Sequence, residues 1–201
     1  MSINLEKNSI RTIIKREKLQ ICVVCYGGCS SNTLINTLTK NNYICKTSIW
    51  DKILCHCPDV IDVDIPIIYI YRNPIHAFLS MKRRNKNEIN QKKLSNYTST
   101  QISDETLLKL MIKQFYTWTS KKSTNILIIK YEELFLPEIK YKLHVFLNNY
   151  NLKHFPIEYK PPYINDNIVN NLQVDQYELF EKYKQDIDYI NNFDVNNMVN
   201  D

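Results

Sequence analysis

Two stretches decide the fold: CVVCYGGCSSNTL at residues 22–34 and IIYIYRNPIHAFLSMKRR at residues 67–84. Each opens with an apolar run rich in β-branched residues, which is typical of a buried parallel strand, and continues with apolar residues at helical spacing. The first stretch also contains Gly27 and Gly28, the two glycines of the whole chain. Both stretches are therefore predicted to be strand–turn–helix units, and the turn of the first needs residues without a Cβ.

The same alternation of strand and helix continues along the chain, which indicates an α/β fold with a three-layer parallel sheet flanked by helices. The helix after residue 103 is predicted to start at a Ser103 cap and to bury one apolar face. Strands are predicted at residues 19–26, 66–71 and 125–130, with a weaker one at 43–47, and helices at 31–40, from 74 onward, 103–122, 138–148 and 173–192.

Length and composition indicate one globular domain. The chain has 201 residues, of which 44% are hydrophobic and 23% charged, and this balance excludes a fully disordered protein. We expect a single domain over residues 1–201, with an N-terminal extension at 1–18. The stretch at 83–103 is polar and has no apolar period, so it is predicted to be a mobile surface loop.

The N-terminal sequence and the cysteines indicate the compartment. The first 20 residues lack the apolar core of a signal peptide, and no apolar run reaches the roughly 18 residues of a membrane span. All six cysteines fall in the first third of the chain, an unusual disulfide framework for this length. We therefore expect a cytoplasmic protein without a membrane span. Its net charge of +5 favours a polyanionic ligand without naming its class.

The glycine turn lies where parallel sheets bind ligands. Beyond the carboxyl ends of the strands, helix N-termini point free N–H groups outward, and a turn without Cβ atoms can close its amides around a phosphate. After Cys29, the polar side chains of Ser30, Ser31, Asn32 and Thr33 supply further donors. The turn predicts an anion site, although a plain tight turn explains the glycines as well.

The end of the second strand contributes an arginine to the same edge. Arg72 follows that strand directly, and Ser80 lies eight residues later, about two helical turns along the next helix. A guanidinium can bind phosphate through two parallel hydrogen bonds. Arg72 and Ser80 could thus face one anionic group; the alternative is a salt bridge for Arg72 and a solvated Ser80.

With these motifs in hand, the chain resembles the sulfotransferase family, whose members transfer a sulfuryl group from 3′-phosphoadenosine 5′-phosphosulfate to an acceptor. Residues 26–33 (YGGCSSNT) correspond to the family loop of the type YPKSGTTW. Residues 72–80 (RNPIHAFLS) are similar to the motif RNPxDxxxS, and residues 128–134 (IIKYEEL) are similar to the family strand that ends in RYEDL. The resemblance covers roughly residues 20–148 and implies a P-loop NTPase-like sulfotransferase fold.

The resemblance also implies roles for individual residues. The loop from Gly27 to Thr33 would hold the 5′-phosphosulfate, Arg72 and Ser80 the 3′-phosphate, and Tyr131 would lie near the adenine. His56, in a segment (LCHCP) similar to the family's KTHLP, would accept the proton of the acceptor hydroxyl, since a neutral imidazole is a suitable base near pH 7. The acceptor would be a small molecule or a glycan, and no metal is required.

The chain departs from the family at three places. The loop lysine, which would neutralise charge on the bridging oxygen, falls on Gly28, and the loop glycine falls on Ser30. The family's C-terminal RKG segment has no counterpart at residues 159–171. Lys46 or Lys52 could supply the missing cation. The alternative is a catalytically impaired module of this fold that binds a nucleotide or a sulfated glycan.

Three other classes are less favoured by the residues. A phosphoryl-transferring P-loop enzyme needs a Lys-Ser or Lys-Thr pair in the glycine turn, and residues 26–33 contain no such pair. The dinucleotide-binding pattern GxGxxG is absent as well. A zinc site from Cys22, Cys25, Cys29 and the 55–57 segment would need strand residues i and i+3 on one face, whereas they point to opposite faces. The basic runs at 82–84 and 92–93 fit a solvated loop better than a nucleic-acid surface, so no nucleic acid is expected.

Overall fold

The computed structural model describes residues 3–29, 31–45, 56–83, 102–152 and 173–195. In those ranges the chain forms three strands and seven α-helices, and at least one helix follows each strand. The strands are β1 (Cys22–Val24), β2 (Ile67–Tyr71) and β3 (Ile126–Lys130). The helices are α1 (Ile3–Arg16), α2 (Ser31–Lys40), α3 (Pro74–Arg83), α4 (Asp104–Thr119), α5 (Pro137–Asn148), α6 (Val174–Lys182) and α7 (Lys184–Asn192).

The described strands form one parallel sheet in the order β1-β2-β3. The register pairs Cys22 with Ile67 and Tyr69 with Ile128, so β2 is the central strand of the three. All five residues of β2 are buried, which means that both faces of this strand are covered. The α/β class with a parallel sheet is confirmed; the three-layer, P-loop-like arrangement stays a prediction.

Helix α4 covers one face of β2 through aromatic contacts. Tyr69 stacks on Trp118 with ring centroids 5.3 Å apart, and Tyr71 meets Phe115 edge to face at 5.2 Å. The predicted cap is confirmed, because the Ser103 side chain accepts a hydrogen bond from the N–H of Thr106. The apolar face predicted for this helix is the one that packs on the sheet.

Several predicted boundaries are wrong. The first strand is shorter than residues 19–26, and residues 43–45 form no strand, although the N–H of Gln20 donates to the carbonyl of Ile44 at 2.7 Å. The N-terminal extension begins with helix α1. Of the predicted mobile loop at 83–103, residues 84–101 lie outside the described part of the chain.

The single final helix predicted at residues 173–192 is also wrong, because it is divided into α6 and α7 at Tyr183. The backbone of Tyr183 has φ −109° and ψ 18°, and its hydroxyl donates to Glu105 of α4 at 2.7 Å. Lys182 donates to the same carboxylate at 2.9 Å. A tertiary contact therefore fixes the point where the helix breaks.

Among the seven helices of the described residues, none has both the length and the apolar character that crossing a bilayer requires.

Candidate functional site

The ends of β1 and β2 are joined by one tyrosine side chain. The Tyr26 hydroxyl donates a hydrogen bond to the Arg72 carbonyl and accepts one from the Arg72 N–H at 2.8 Å. Tyr26 is fully buried, and burial raises the pKa of its hydroxyl well above the usual value, so the group remains a donor. This pair of bonds fixes the turn after β1 against the point where Arg72 leaves β2.

The glycine turn is held against the first turn of α3. Gly27 and Gly28 have φ values of 100° and 66°, a region that residues with a Cβ rarely adopt. A Cβ on Gly28 would lie 2.3 Å from the carbonyl oxygen of Ala77 and 2.7 Å from its Cα. The glycine therefore allows a close approach of two backbones as well as a tight turn. A lysine at this position, as in the family loop, would introduce that Cβ and bring it too close to Ala77.

Asn73 and Pro74 form the start of α3. The Asn73 side-chain oxygen accepts hydrogen bonds from the N–H groups of Ile75 at 2.8 Å and His76 at 3.3 Å, which satisfies donors that the helix cannot. Pro74 follows in the first helical position, where it has no N–H to leave unpaired. The asparagine and proline of the motif thus orient α3 relative to β2. Ser80 is buried on that helix.

The side chain of Arg72 faces the glycine turn. Its Nη1 donates to the Gly28 carbonyl at 3.4 Å, its Nε pairs with Glu132 at 3.3 Å, and its guanidinium carbon lies 4.6 Å from the centroid of the Tyr131 ring. The arginine side chain is only 8% exposed. Tyr131 and Glu132 belong to the 3₁₀ turn directly after β3. All three strands therefore end around this one guanidinium, and its hydrogen bonds go to Gly28 and Glu132 and not to Ser80.

His56 lies beside the end of β1. Its Nδ1 is 2.9 Å from the carbonyl oxygen of Cys25, and since a carbonyl can only accept, Nδ1 of the neutral ring carries the proton. Nε2 is consequently the nitrogen with the free electron pair. The next residue is anchored to α4, because the Cys57 carbonyl accepts from Gln114 Nε2 at 2.7 Å and from Trp118 Nε1 at 3.1 Å. The tautomer and the position of the imidazole are both defined.

The remaining predicted residues around the turn differ in exposure. Ser31 is the first residue of α2 and is buried, and its hydroxyl accepts from the thiol of Cys25 at 3.4 Å. Cys29 is buried and donates to the Gly27 carbonyl at 3.1 Å; burial raises the pKa of its thiol well above the usual value. Asn32 is exposed and Thr33 is half-buried. The predicted residues Ser30, Lys46 and Lys52 lie outside the described residues.

The cysteines of the described ranges are buried thiols. Burial raises the pKa of Cys22 to about 12, which disfavours the thiolate that a metal or an electrophile would need. Within residues 3–29, 31–45, 56–83, 102–152 and 173–195, no group of three or more histidine, cysteine, aspartate or glutamate side chains could hold a metal ion. Cys55, part of the zinc alternative, is outside these ranges.

Two contributions to this site were missed from the sequence. Tyr26 was noted only as part of the turn, and nothing in a loop motif indicates that its hydroxyl pairs with a backbone 46 residues away. Glu132 could have been found, because a carboxylate directly after β3 lies at the same sheet edge as Arg72. The site is therefore built from three strand ends, whereas the sequence linked only the first two to the phosphates.

The fold and the site define an α/β protein with an arginine and a glycine turn at the carboxyl edge of a parallel sheet. Residues 52–140 match the family model described as a sulfotransferase domain, which supports assigning the chain to the sulfotransferase family. The resemblance drawn from the motifs is thereby confirmed for the matched segment. The matched segment contains His56, Arg72 and Tyr131 but begins after the glycine turn. Neither the curated proteins nor the solved structures include a match to this chain.

We predict that Gly28→Ala destabilises the protein. A left-handed backbone costs a residue with a Cβ about 1–2 kcal/mol, and overpacking against Ala77 adds about 1–3 kcal/mol. The free energy of unfolding, measured by urea denaturation, should fall by at least about 2 kcal/mol. Gly28→Lys, which restores the family lysine, should lower the free energy of unfolding at least as much. Lys40→Ala, on the exposed end of α2, is the control and should stay within about 0.5 kcal/mol. An unchanged urea midpoint for Gly28→Ala would contradict the close approach.

We also predict that Tyr26→Phe destabilises the protein, because it leaves the N–H and the carbonyl of Arg72 without their shared partner. Each buried group left unpaired costs about 1–3 kcal/mol, and the same urea experiment measures the loss. Tyr150→Phe is the matched control: its hydroxyl donates to the Thr124 carbonyl at an exposed position, where water replaces the bond. Equal losses in the two variants would refute a special role for Tyr26.

Proposed function

We propose that this chain binds 3′-phosphoadenosine 5′-phosphosulfate and transfers its sulfuryl group to an acceptor hydroxyl. The single observation that carries the proposal is the Arg72 side chain, which is almost fully buried and directed at the carbonyl of Gly28 in the glycine turn. A buried cation next to a turn free of Cβ atoms is a suitable site for phosphate groups. The family match supports sulfuryl transfer in general.

In the proposed complex, the loop from Gly27 to Thr33 binds the 5′-phosphosulfate through its amides and hydroxyls. Arg72 and Ser80 bind the 3′-phosphate, and Tyr131 borders the adenine. Tyr131 also supports Arg72, since its ring lies against the guanidinium and is only 2% exposed. The Tyr26 hydroxyl keeps the two phosphate-binding segments at a constant separation.

The proposed reaction is an in-line displacement at sulfur. The acceptor oxygen forms the new S–O bond, the bond from sulfur to the bridging oxygen breaks, and adenosine 3′,5′-bisphosphate leaves. Nε2 of His56 takes the hydroxyl proton, and the tautomer set by the Cys25 carbonyl leaves this nitrogen free to do so. Because Nδ1 already carries a proton, Nε2 can accept the proton of the acceptor hydroxyl without a flip of the imidazole ring.

The charge that develops on the bridging oxygen needs a cation or several aligned donors. The family lysine is replaced by Gly28, so the loop amides carry more of this task. Lys46 and Lys52 remain the candidates for a replacement cation. The alternative function, a binding module for a nucleotide or a sulfated glycan, is favoured by the contact between Gly28 and Ala77, which leaves no room for a side chain at that position.

Binding is tested with Arg72→Ala and adenosine 3′,5′-bisphosphate. Charge-assisted hydrogen bonds contribute about 1.5–3 kcal/mol, so the dissociation constant measured by calorimetry should rise by roughly 10- to 150-fold. Circular dichroism should show the fold intact. Arg11→Ala is the matched control, because Arg11 lies on α1 and forms an exposed ion pair with Asp62. An unchanged dissociation constant for Arg72→Ala would remove the arginine from the site.

Turnover is tested with a sulfur-labelled donor and a panel of small alcohols, phenols and glycans. His56→Ala should reduce transfer by roughly 10²- to 10⁴-fold, the usual contribution of a general base, while affinity for the bisphosphate is unchanged. His144→Ala is the control, since that ring pairs with Asn148 in an exposed part of α5. Transfer that survives His56→Ala refutes the base. Binding without transfer to any acceptor supports the module instead.

A further inference from the structure

We propose that Glu132 is a displaceable counter-ion of Arg72: it neutralises the arginine while the site is empty and gives way to a ligand phosphate. This inference rests on the proposed function, because it assumes that Arg72 binds an anionic group of the nucleotide. It goes beyond the roles assigned above, since Glu132 would lower the affinity for the nucleotide and ease its release.

The two members of the ion pair differ in their freedom. The Arg72 side chain is 8% exposed, and it is held by the Gly28 carbonyl on one side and by the Tyr131 ring on another. The Glu132 side chain is 34% exposed and meets the arginine through one contact, Nε to Oε1 at 3.3 Å. Glu132 can therefore swing into solvent, whereas Arg72 is held by its neighbours.

The guanidinium can receive a second anion. Nε is paired with Glu132 and Nη1 with the Gly28 carbonyl, while among the described residues Nη2 has no hydrogen-bond partner. A phosphate that binds Arg72 through two nitrogens has to take Nη2 together with Nη1 or Nε, which brings it close to the Glu132 carboxylate. Like charges at that separation repel each other, and the more mobile carboxylate is the one that yields.

In the ligand-free protein, by contrast, the Glu132 carboxylate is favourable because it neutralises Arg72. A buried cation that loses its partner is costly, so Glu132 stabilises the ligand-free fold. Removing its charge should therefore lower stability and raise ligand affinity at once. A purely structural contact would give a different result, because loosening Arg72 would weaken the binding of the phosphate as well.

The test is Glu132→Gln, which keeps the shape and an acceptor oxygen but removes the charge. Its matched control is Glu133→Gln: the neighbouring carboxylate lies in the same 3₁₀ turn but lines a separate cavity of about 280 Å³ with Lys130 and Lys142. Melting temperature without ligand and the calorimetric dissociation constant for adenosine 3′,5′-bisphosphate are measured at low salt, since salt screens partly exposed charges.

We expect Glu132→Gln to lower the melting temperature by roughly 4 °C or more and to tighten binding of the bisphosphate at least about fivefold. Glu133→Gln should change neither quantity. Binding that is unchanged or weaker in Glu132→Gln, with the wild-type chain binding normally, overturns this inference and leaves the proposed function intact. A wild-type chain that does not bind the bisphosphate at all overturns the proposed function, and the inference with it.

Discussion

The structure depends on the pair of hydrogen bonds between the Tyr26 hydroxyl and the backbone of Arg72. Parallel strands bring their carboxyl ends to one edge but do not by themselves align the segments that follow. A buried hydroxyl that both donates and accepts provides this alignment, because the N–H and the carbonyl of one residue must be satisfied together. The guanidinium of Arg72 then takes its direction from a backbone that cannot rotate freely.

Around that point, each neighbour limits the arginine in a different way. Gly28 supplies a carbonyl and lets the turn approach α3, Tyr131 supplies an aromatic face, and Glu132 supplies the charge. A cation this far from water would be unfavourable without such compensation. The groups that stabilise the buried Arg72 cation are also the groups that a nucleotide would contact or replace in the proposed complex.

The sequence was sufficient for features set by local chemistry. The three main strands, helix α2 over residues 31–40, the start of α3 at Pro74 and the Ser103 cap follow from hydrophobic periodicity and capping preferences within a few residues. The meeting of the strand ends at one edge followed from the parallel strand order. These predictions need no knowledge of distant contacts.

What the sequence could not supply depends on residues far apart in the chain. The break at Tyr183 is made by Glu105, 78 residues away, and the hydroxyl of Tyr26 reaches across 46 residues. The need for glycine at position 28 comes from the backbone of Ala77, so a turn motif gives only half of the reason. Each of these features depends on a contact between residues that are distant in the chain, and local sequence patterns do not report such contacts.

The indole of Trp118 serves two parts of the molecule at once. Its face stacks on Tyr69 in the sheet, and its N–H holds the Cys57 carbonyl next to His56. Packing of the interior and placement of the imidazole are thereby coupled through a single side chain. A replacement of this tryptophan would therefore disturb the packing on Tyr69 and the segment that carries His56 together.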